Sequence, residues 1–478
     1  MDGLHGFAEQ AERNLALFGH AGMVVSVVSG EKTVLESFGF RDAEQRLAPD
    51  ADTLFPIGSA TKSFTAAALM LLSRRGQLDI DAPIRRYLPE LLFFDPDASA
   101  HATARDLLCH RTGLARHDML WVLRPHITRR ELVASIRALL PSAPFRARYQ
   151  YSNLMFACLG RLVEVIDGRT WENFVRDEIF APLNMRSATF NVDDMVAYGD
   201  FALPYVRDRK SGALNNVPFS RLGGMAPAGA INASAREMAH WTRCLLSEGS
   251  FDGREILSGT REMRTPQMPA PSELFTFPEL RGASYALGWE VESFRGYTLV
   301  SHGGNVSGGS ALVAYMPELG FGVNVMVNTG SSLLTYATAY DALDRLMGFA
   351  ETKDWGAELF AVTDRLYALT DAAVGSPQAA RGAKTARAAA EFAGLYRHPA
   401  YGAVAVTADG GKLSARLGQR AAPLENVHYD VFAAEIDLGY LTAPTTLSFQ
   451  TGLDGGIEAV ELPLEGAVAP IVFKRDKV

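Results

Sequence analysis

The sequence predicts an α/β unit followed by a small all-β module. Three observations carry this. A β-rich hairpin lies near the N-terminus, a mostly helical stretch runs from Asp79 to about Ala235, and β-like runs resume at Tyr285. Strands and helices therefore flank a helical insertion, so the α/β unit is assembled from two distant parts of the chain. Beyond Phe392 the pattern changes to short alternating strands with turn signals, as in a small barrel or sandwich. Length points the same way, since 478 residues at roughly 150 per unit suggest about three structural units.

The elements follow in order. Leu4 to Leu17 has the spacing of an amphipathic helix. Gly22 to Ser29 and Thr33 to Phe40, around Gly30-Glu31-Lys32, predict a hairpin. Pro56-Ile57-Gly58 leads into a helix over Ser59 to Ser73, with Ser59 as its N-cap and Gly76 as its stop. Further helices are predicted over Arg129 to Leu140 and Asn153 to Ile166, where apolar residues recur every three or four positions. Strands are predicted over Tyr285 to Phe294, Tyr297 to His302, Ala311 to Met316 and Gly322 to Val327, then a helix over Thr335 to Met347. Ser376 to Ala390 is rich in Ala, Gly, Arg and Lys and reads as a linker with helical leanings. The expected division is 1–350, a linker over 351–390, and a β-module over 391–478. In the tail, strands are expected over Gly402 to Thr407, Leu413 to Leu417, Tyr440 to Thr442 and Thr446 to Gln450. Asp409-Gly-Gly-Lys412 and Asp454-Gly-Gly456 supply turns.

Hydrophobic residues at 48% and charged residues at 21% exclude a mainly disordered or fibrous chain. A net charge of −8 argues against a general nucleic-acid or anionic-membrane binder. Cys109, Cys158 and Cys244 are odd in number and far apart, so they read as core thiols in a reducing compartment. The first residues carry Asp2, Glu9 and Glu12 and lack the basic-then-apolar pattern of a signal peptide. The longest apolar helix, near Phe64 to Leu72, is too short to cross a bilayer. A cytoplasmic location is expected, with no metal or cofactor, and with a small molecule or peptide rather than nucleic acid or membrane as partner.

Three short patterns can carry chemistry. In Ser59-x-x-Lys62, residues three apart share a helix face, so a hydroxyl and an amine can meet. A serine needs such a base, and a lysine serves when burial or a nearby cation lowers its pKa. The helix N-terminus adds N–H groups where an oxyanion would develop. The structural alternative is an N-cap serine and a solvated lysine, and Ser29 to Lys32 repeats the pattern in a turn. Tyr151-Ser152-Asn153 could place a tyrosine near two cations, where it can lose its proton and act as a base. Asn153 could orient a substrate amide or the lysine. The alternative is a half-buried turn tyrosine with a capping asparagine. His302-Gly303-Gly304, followed by Asn305, could bring substrate backbone close to a strand, with His302 positioning or protonating a tyrosine oxygen or substrate carboxylate. His20-Ala21-Gly22 matches that pattern equally well. His110 and His428 read as structural.

Order and context decide among these readings. Taken together, the patterns and their flanks resemble the serine hydrolases of the β-lactamase-related superfamily. These include class C β-lactamases, penicillin-binding-protein-like D,D-peptidases, D-aminopeptidases and family-VIII esterases. The resemblance rests on Phe55-Pro-Ile-Gly-Ser-Ala-Thr-Lys62, Leu107-Leu-Cys-His-Arg-Thr-Gly-Leu114, Tyr151-Ser-Asn153 and Gly303 to Gly309, and covers roughly residues 5–350. It implies a class C β-lactamase-like fold, an antiparallel sheet flanked by helices with a helical insertion. It implies Ser59, Lys62, Tyr151 and His302 as catalytic and Asn153, Gly303, Gly304 and Asn305 as substrate-binding. The oxyanion hole would be the backbone N–H groups of Ser59 and Asn305. Many members carry lysine where His302 stands, which points away from an efficient β-lactamase and toward peptidase and esterase branches. Phe392-Ala-Gly-Leu-Tyr-Arg-His-Pro-Ala-Tyr-Gly402 and Pro423-Leu-Glu-Asn-Val-His-Tyr-Asp430 resemble the lipocalin-like barrel appended to some relatives, including penicillin-binding-protein-type thioesterases that cyclise peptides. The expected function is hydrolysis of a peptide, amide or ester, with a D-residue in view. Acyl transfer by the same acyl-enzyme and a non-catalytic sensor are the alternatives. If the barrel covers the cleft, Arg416, Arg420 or His428 could contribute a polar group.

Overall fold

The computed structural model describes residues 2–208, 210–270, 276–349, 353–374, 383–437 and 442–476. Its centre is an eight-stranded antiparallel sheet. Across the sheet the strands run Lys32–Gly39, Gly22–Ser29, Phe321–Val327, Gly309–Met316, Tyr297–Val306, Glu290–Phe294, Leu280–Tyr285 and Met268–Pro269. The N-terminal hairpin joins the late strands directly, with Val25 opposite Val325. Gly22–Ser29 is buried along nearly its whole length because it lies inside the sheet with helices on both faces.

Phe7–Phe18, Leu334–Leu346 and the start of Trp355–Val374 cover one face. The other face carries Ala235–Leu246, and behind it the helical insertion with Thr61–Arg74 and Asn153–Asp167. Thr61–Arg74 is buried from Thr61 through Leu72, which fits a helix that neighbours enclose on all sides. All three cysteines are free and buried. Among the described residues no helix is long and apolar enough to cross a membrane.

The run expected as one strand over Tyr285 to Phe294 is two strands. The Ala286 N–H donates to the Trp289 carbonyl at 2.7 Å, and Gly288 takes a φ of +77°, which a side chain would strain. The tail is a closed antiparallel barrel of eight strands from Gly394–His398 to Ile471–Arg475, with Tyr396 opposite Arg475 at the closure. Side chains fill its interior, where Phe392 stacks edge-on to Phe432 and Phe449 at 5.0 and 4.9 Å. Five of its strands were not among those expected from the sequence: Gly394–His398, Arg420–His428, Val431–Asp437, Ile457–Leu462 and Ile471–Arg475. The expected strand Tyr440 to Thr442 lies mostly outside the described residues.

The expected linker over 351–390 also differs. Trp355–Val374 is helical, and Trp355, Leu359 and Val362 bury against the outer face of the sheet domain. Their spacing of four and three was the helical signal in that stretch. Of the linker, residues 351–352 and 375–382 lie outside the described residues.

Candidate active site

Ser59 sits in the single turn Gly58–Ala60 that runs into Thr61–Arg74. It is not the expected N-cap, because that helix end has no side-chain cap. The turn is tied down by neighbours. Ile57 N–H donates to Ile231 O at 2.9 Å, and Ile231 N–H donates to Thr61 Oγ1 at 3.1 Å.

Lys62 is 0% exposed and lies directly behind Ser59. Its Nζ is 3.0 Å from Ser59 Oγ, 2.8 Å from Asn153 Oδ1 and 2.7 Å from Ala228 O. Burial, with Arg116 adding to it, holds its pKa well below the usual lysine value, although Asp118 opposes this. A neutral amine has two N–H bonds and one lone pair. Asn153 Oδ1 and Ala228 O can only accept, so they take the two N–H bonds. The lone pair then faces the Ser59 hydroxyl, which is the arrangement of a base beside its nucleophile.

Tyr151 and Asn153 come from the turn before Asn153–Asp167 and that helix's first residue. His110 shapes this turn. Its Nδ1 accepts the Ser152 N–H at 3.1 Å, and its ring lies 4.4 Å from that of Tyr151. Burial, with Lys62 next, holds His110 neutral, in keeping with its expected structural role. Burial raises the Tyr151 pKa above the ordinary tyrosine value, although the nearby Ser59 hydroxyl and Arg116 oppose this. A tyrosine near two cations was expected to be able to lose its proton, and burial works against that at Tyr151. Desolvation outweighs the Arg116 charge, so the phenol resists losing its proton.

His302 was expected to position or protonate a tyrosine oxygen or substrate carboxylate, and the tyrosine oxygen it meets is that of Tyr285. Its Nδ1 lies 2.6 Å from Gly303 O and its Nε2 2.9 Å from Tyr285 Oη. A carbonyl only accepts, so Nδ1 carries the proton and Nε2 accepts the tyrosine O–H. Burial, with Lys62 adding to it, lowers its pKa to about 3. A histidine so held gives no proton to Tyr151 or to a substrate carboxylate; it fixes Tyr285 and the strand end.

Gly304 was expected to bind substrate, but it faces the nucleophile turn rather than the cavity. A Cβ there would fall 1.9 Å from Ile57 O and 3.0 Å from Ser59 N. Gly58 mirrors it, with φ +51° and a would-be Cβ 2.7 Å from Asn305 N. Two glycines thus let the strand press against the turn and bring the Ser59 and Asn305 amides side by side.

A cavity of about 1710 Å³ opens over this cluster. Ser59, Tyr151, Asn153, His302, Gly303 and Asn305 line it, while Lys62 lies beneath. Among the described residues no cluster of three or more His, Cys, Asp or Glu side chains is placed to hold a metal ion. The barrel contributes Arg420, Glu465 and Ala467 to the lining. Of the three tail residues expected there, only Arg420 takes part; Arg416 is exposed and His428 packs on Tyr429.

Sequence reasoning missed Arg116, Asp118, Glu290 and Glu292. The signal for the first two was their place just after the Leu107 to Leu114 segment. The two glutamates alternate on one strand, so they share a face. Both line the cavity. Burial pushes Glu290 up to about 7, and burial together with Glu290 does the same to Glu292. The folded values exceed the ordinary 4.5, so each folded carboxyl keeps a proton that the unfolded chain has lost. Stability therefore falls as pH rises from about 4.5 to 7 and levels off above. Glu290→Gln will raise the melting temperature relative to wild type at pH 7.5 and not at pH 4.5. An equal effect at both values would show that no such titration occurs.

Comparison with known proteins agrees with this architecture. The family model described as Beta-lactamase matches residues 11–347, and one described as a domain of unknown function, DUF3471, matches residues 378–475. An unguisins hydrolase of Aspergillus campestris (strain IBT 28561) is 31% identical over 366 residues, covering 73% of this chain and 67% of the relative. A D-aminopeptidase of Brucella anthropi is 29% identical over 297 residues, covering 61% of this chain and 52% of the relative. The octameric penicillin-binding protein homologue from Pyrococcus abyssi superposes with a TM-score of 0.66 at 23% identity, covering 99% of this chain and all of the other. A serine backed by a desolvated lysine, a match over most of the α/β domain and these relatives converge: the chain belongs to the Beta-lactamase family of serine hydrolases.

Proposed function

We propose that the protein cleaves a peptide, amide or ester bond through an acyl-enzyme on Ser59, with a D-residue-containing peptide or amide as the favoured substrate class. The observation that carries this is the buried Lys62 amine, 3.0 Å from Ser59 Oγ and held by the Asn153 and Ala228 carbonyl oxygens at 2.8 and 2.7 Å. Lys62 takes the Ser59 proton as Oγ attacks the substrate carbonyl. The oxyanion lies between the Ser59 and Asn305 N–H groups. The carbon–nitrogen or carbon–oxygen bond then breaks, and the leaving group takes a proton from Tyr151, which Lys62 replenishes. Water repeats the sequence on the ester and releases the acid. The relatives named as an unguisins hydrolase and a D-aminopeptidase support the substrate class.

The test is to mix the protein with a fluorophosphonate and map the adduct by peptide mass spectrometry. L- and D-peptide amides, short-chain esters, peptide thioesters and a penicillin are then offered in parallel. An adduct on Ser59 and products heavier by one water are expected. Products that lose the leaving group without gaining water would show cyclisation or transfer instead. No adduct and no product would leave a sensor as the correct reading.

A further inference from the structure

We propose that the C-terminal barrel orients the base Lys62, through a latch formed by Arg116, His117 and Asp118 that fixes the amide of Asn153. The inference rests on the reading of Lys62 as base to Ser59.

His117 is the pivot. It is 0% exposed and has a φ of +49°, a left-handed conformation that an L-residue other than glycine keeps only when neighbours hold it. The barrel supplies much of that hold. The His117 backbone N–H donates to Glu465 Oε2 at 2.6 Å, and Nδ1 lies 2.8 Å from Tyr401 Oη. Nε2 lies 2.9 Å from Leu140 O, so it carries the proton and Nδ1 accepts from Tyr401. The next helix is tied down too, where Arg124 Nη1 donates to Ala400 O at 2.6 Å.

Both neighbours of His117 reach the catalytic cluster. Asp118 Oδ1 accepts from Asn153 Nδ2 at 3.1 Å and from Trp121 Nε1 at 3.0 Å. Its Oδ2 accepts from Arg116 Nε at 2.8 Å, and the Arg116 guanidinium sits 5.0 Å from the Tyr151 ring centroid. A carboxylate only accepts, so it compels Asn153 to turn its NH₂ outward and its oxygen toward Lys62. Without that constraint the amide can flip and present N–H groups to the amine. The lone pair of Lys62 would then lose its aim. The barrel is thereby a part of the active site and not only its wall.

The test uses the full chain with Asp118→Asn, Asp118→Glu and Tyr401→Phe. Tyr401→Phe removes one hydroxyl on the barrel and leaves its ring in place. Two readouts are taken: the rate of fluorophosphonate acylation, separated into maximal rate and half-saturation, and the titration of Lys62 followed by carbon-13 NMR. The Lys62 signal is assigned from the spectrum of Lys62→Met. Arg116, Asp118, His110, His302 and Tyr151 face Lys62, and only Asp118 changes its charge. Asp118→Asn is expected to lower the maximal rate about a hundredfold with half-saturation unchanged, as for a misaimed base. It also moves the Lys62 titration to lower pH, and Asp118→Glu restores part of both. Tyr401→Phe is expected to lower the maximal rate about tenfold, a smaller misplacement of the same kind. Unchanged maximal rates and an unchanged Lys62 titration in Asp118→Asn and Tyr401→Phe overturn the proposal. If the wild type forms no adduct on Ser59, the catalytic reading fails on its own, and the Lys62 titration alone decides the latch.

Discussion

Ser59→Ala will abolish acylation, since no oxygen remains to be acylated, and Lys62→Met will reduce it by on the order of 10⁴-fold. Lys62→Met keeps the chain length and the buried stem while removing the amine. It leaves Asn153 Oδ1 and Ala228 O without the donor they have now, 2.8 and 2.7 Å away. Such orphaned acceptors cost about 1–3 kcal/mol each, while losing a buried amine that resists charging returns part of this. The fall in stability will thus be far smaller than the fall in rate. The measurement is single-turnover acylation beside a denaturation midpoint. A Lys62→Met protein that acylates like wild type would mean that Lys62 does not serve Ser59 as its base.

Gly304→Ala will lower acylation by about 10²-fold or more, the cost expected of one displaced oxyanion donor. A methyl group at that position meets the Ile57 carbonyl oxygen at 1.9 Å, and both partners are backbone, so neither can swing aside. The strand must move off the turn, carrying the Asn305 N–H from its place beside Ser59. Overpacking of this kind also costs about 1–3 kcal/mol. Gly303→Ala serves as the contrast, because its methyl would meet the Tyr336 hydroxyl at 2.6 Å, the end of a side chain. A Gly304→Ala protein that acylates like wild type would show that the amide of Asn305 is not needed. The order expected is a large loss for Gly304→Ala and a smaller one for Gly303→Ala.

Local patterns in the chain were readable because local physics writes them. The spacing of Ser59 and Lys62 requires only a helical turn, and the hairpin over Gly22 to Phe40 requires only two β-rich runs and a tight turn. The barrel was readable as an all-β module, but several of its strands, such as Val431–Asp437, were not. Each is stabilised by its neighbours rather than by its own composition. The protonation states were also out of reach. Nearby cations suggested that Tyr151 could lose its proton, whereas burial raises its pKa and lowers that of His302. How far burial outweighs charge depends on what covers a residue, which no spacing records.

By itself the sequence singled out Ser59, Lys62 and Tyr151 as candidates and placed an α/β unit ahead of an all-β module, since each lies in a short segment whose chemistry and periodicity are local. Only the tertiary structure decided which groups are charged, that Gly304 serves the nucleophile turn rather than substrate, and that the barrel reaches Lys62 through His117, Asp118 and Asn153. Those contacts join residues as far apart as Lys62 and Glu465, and burial by distant segments sets their strength.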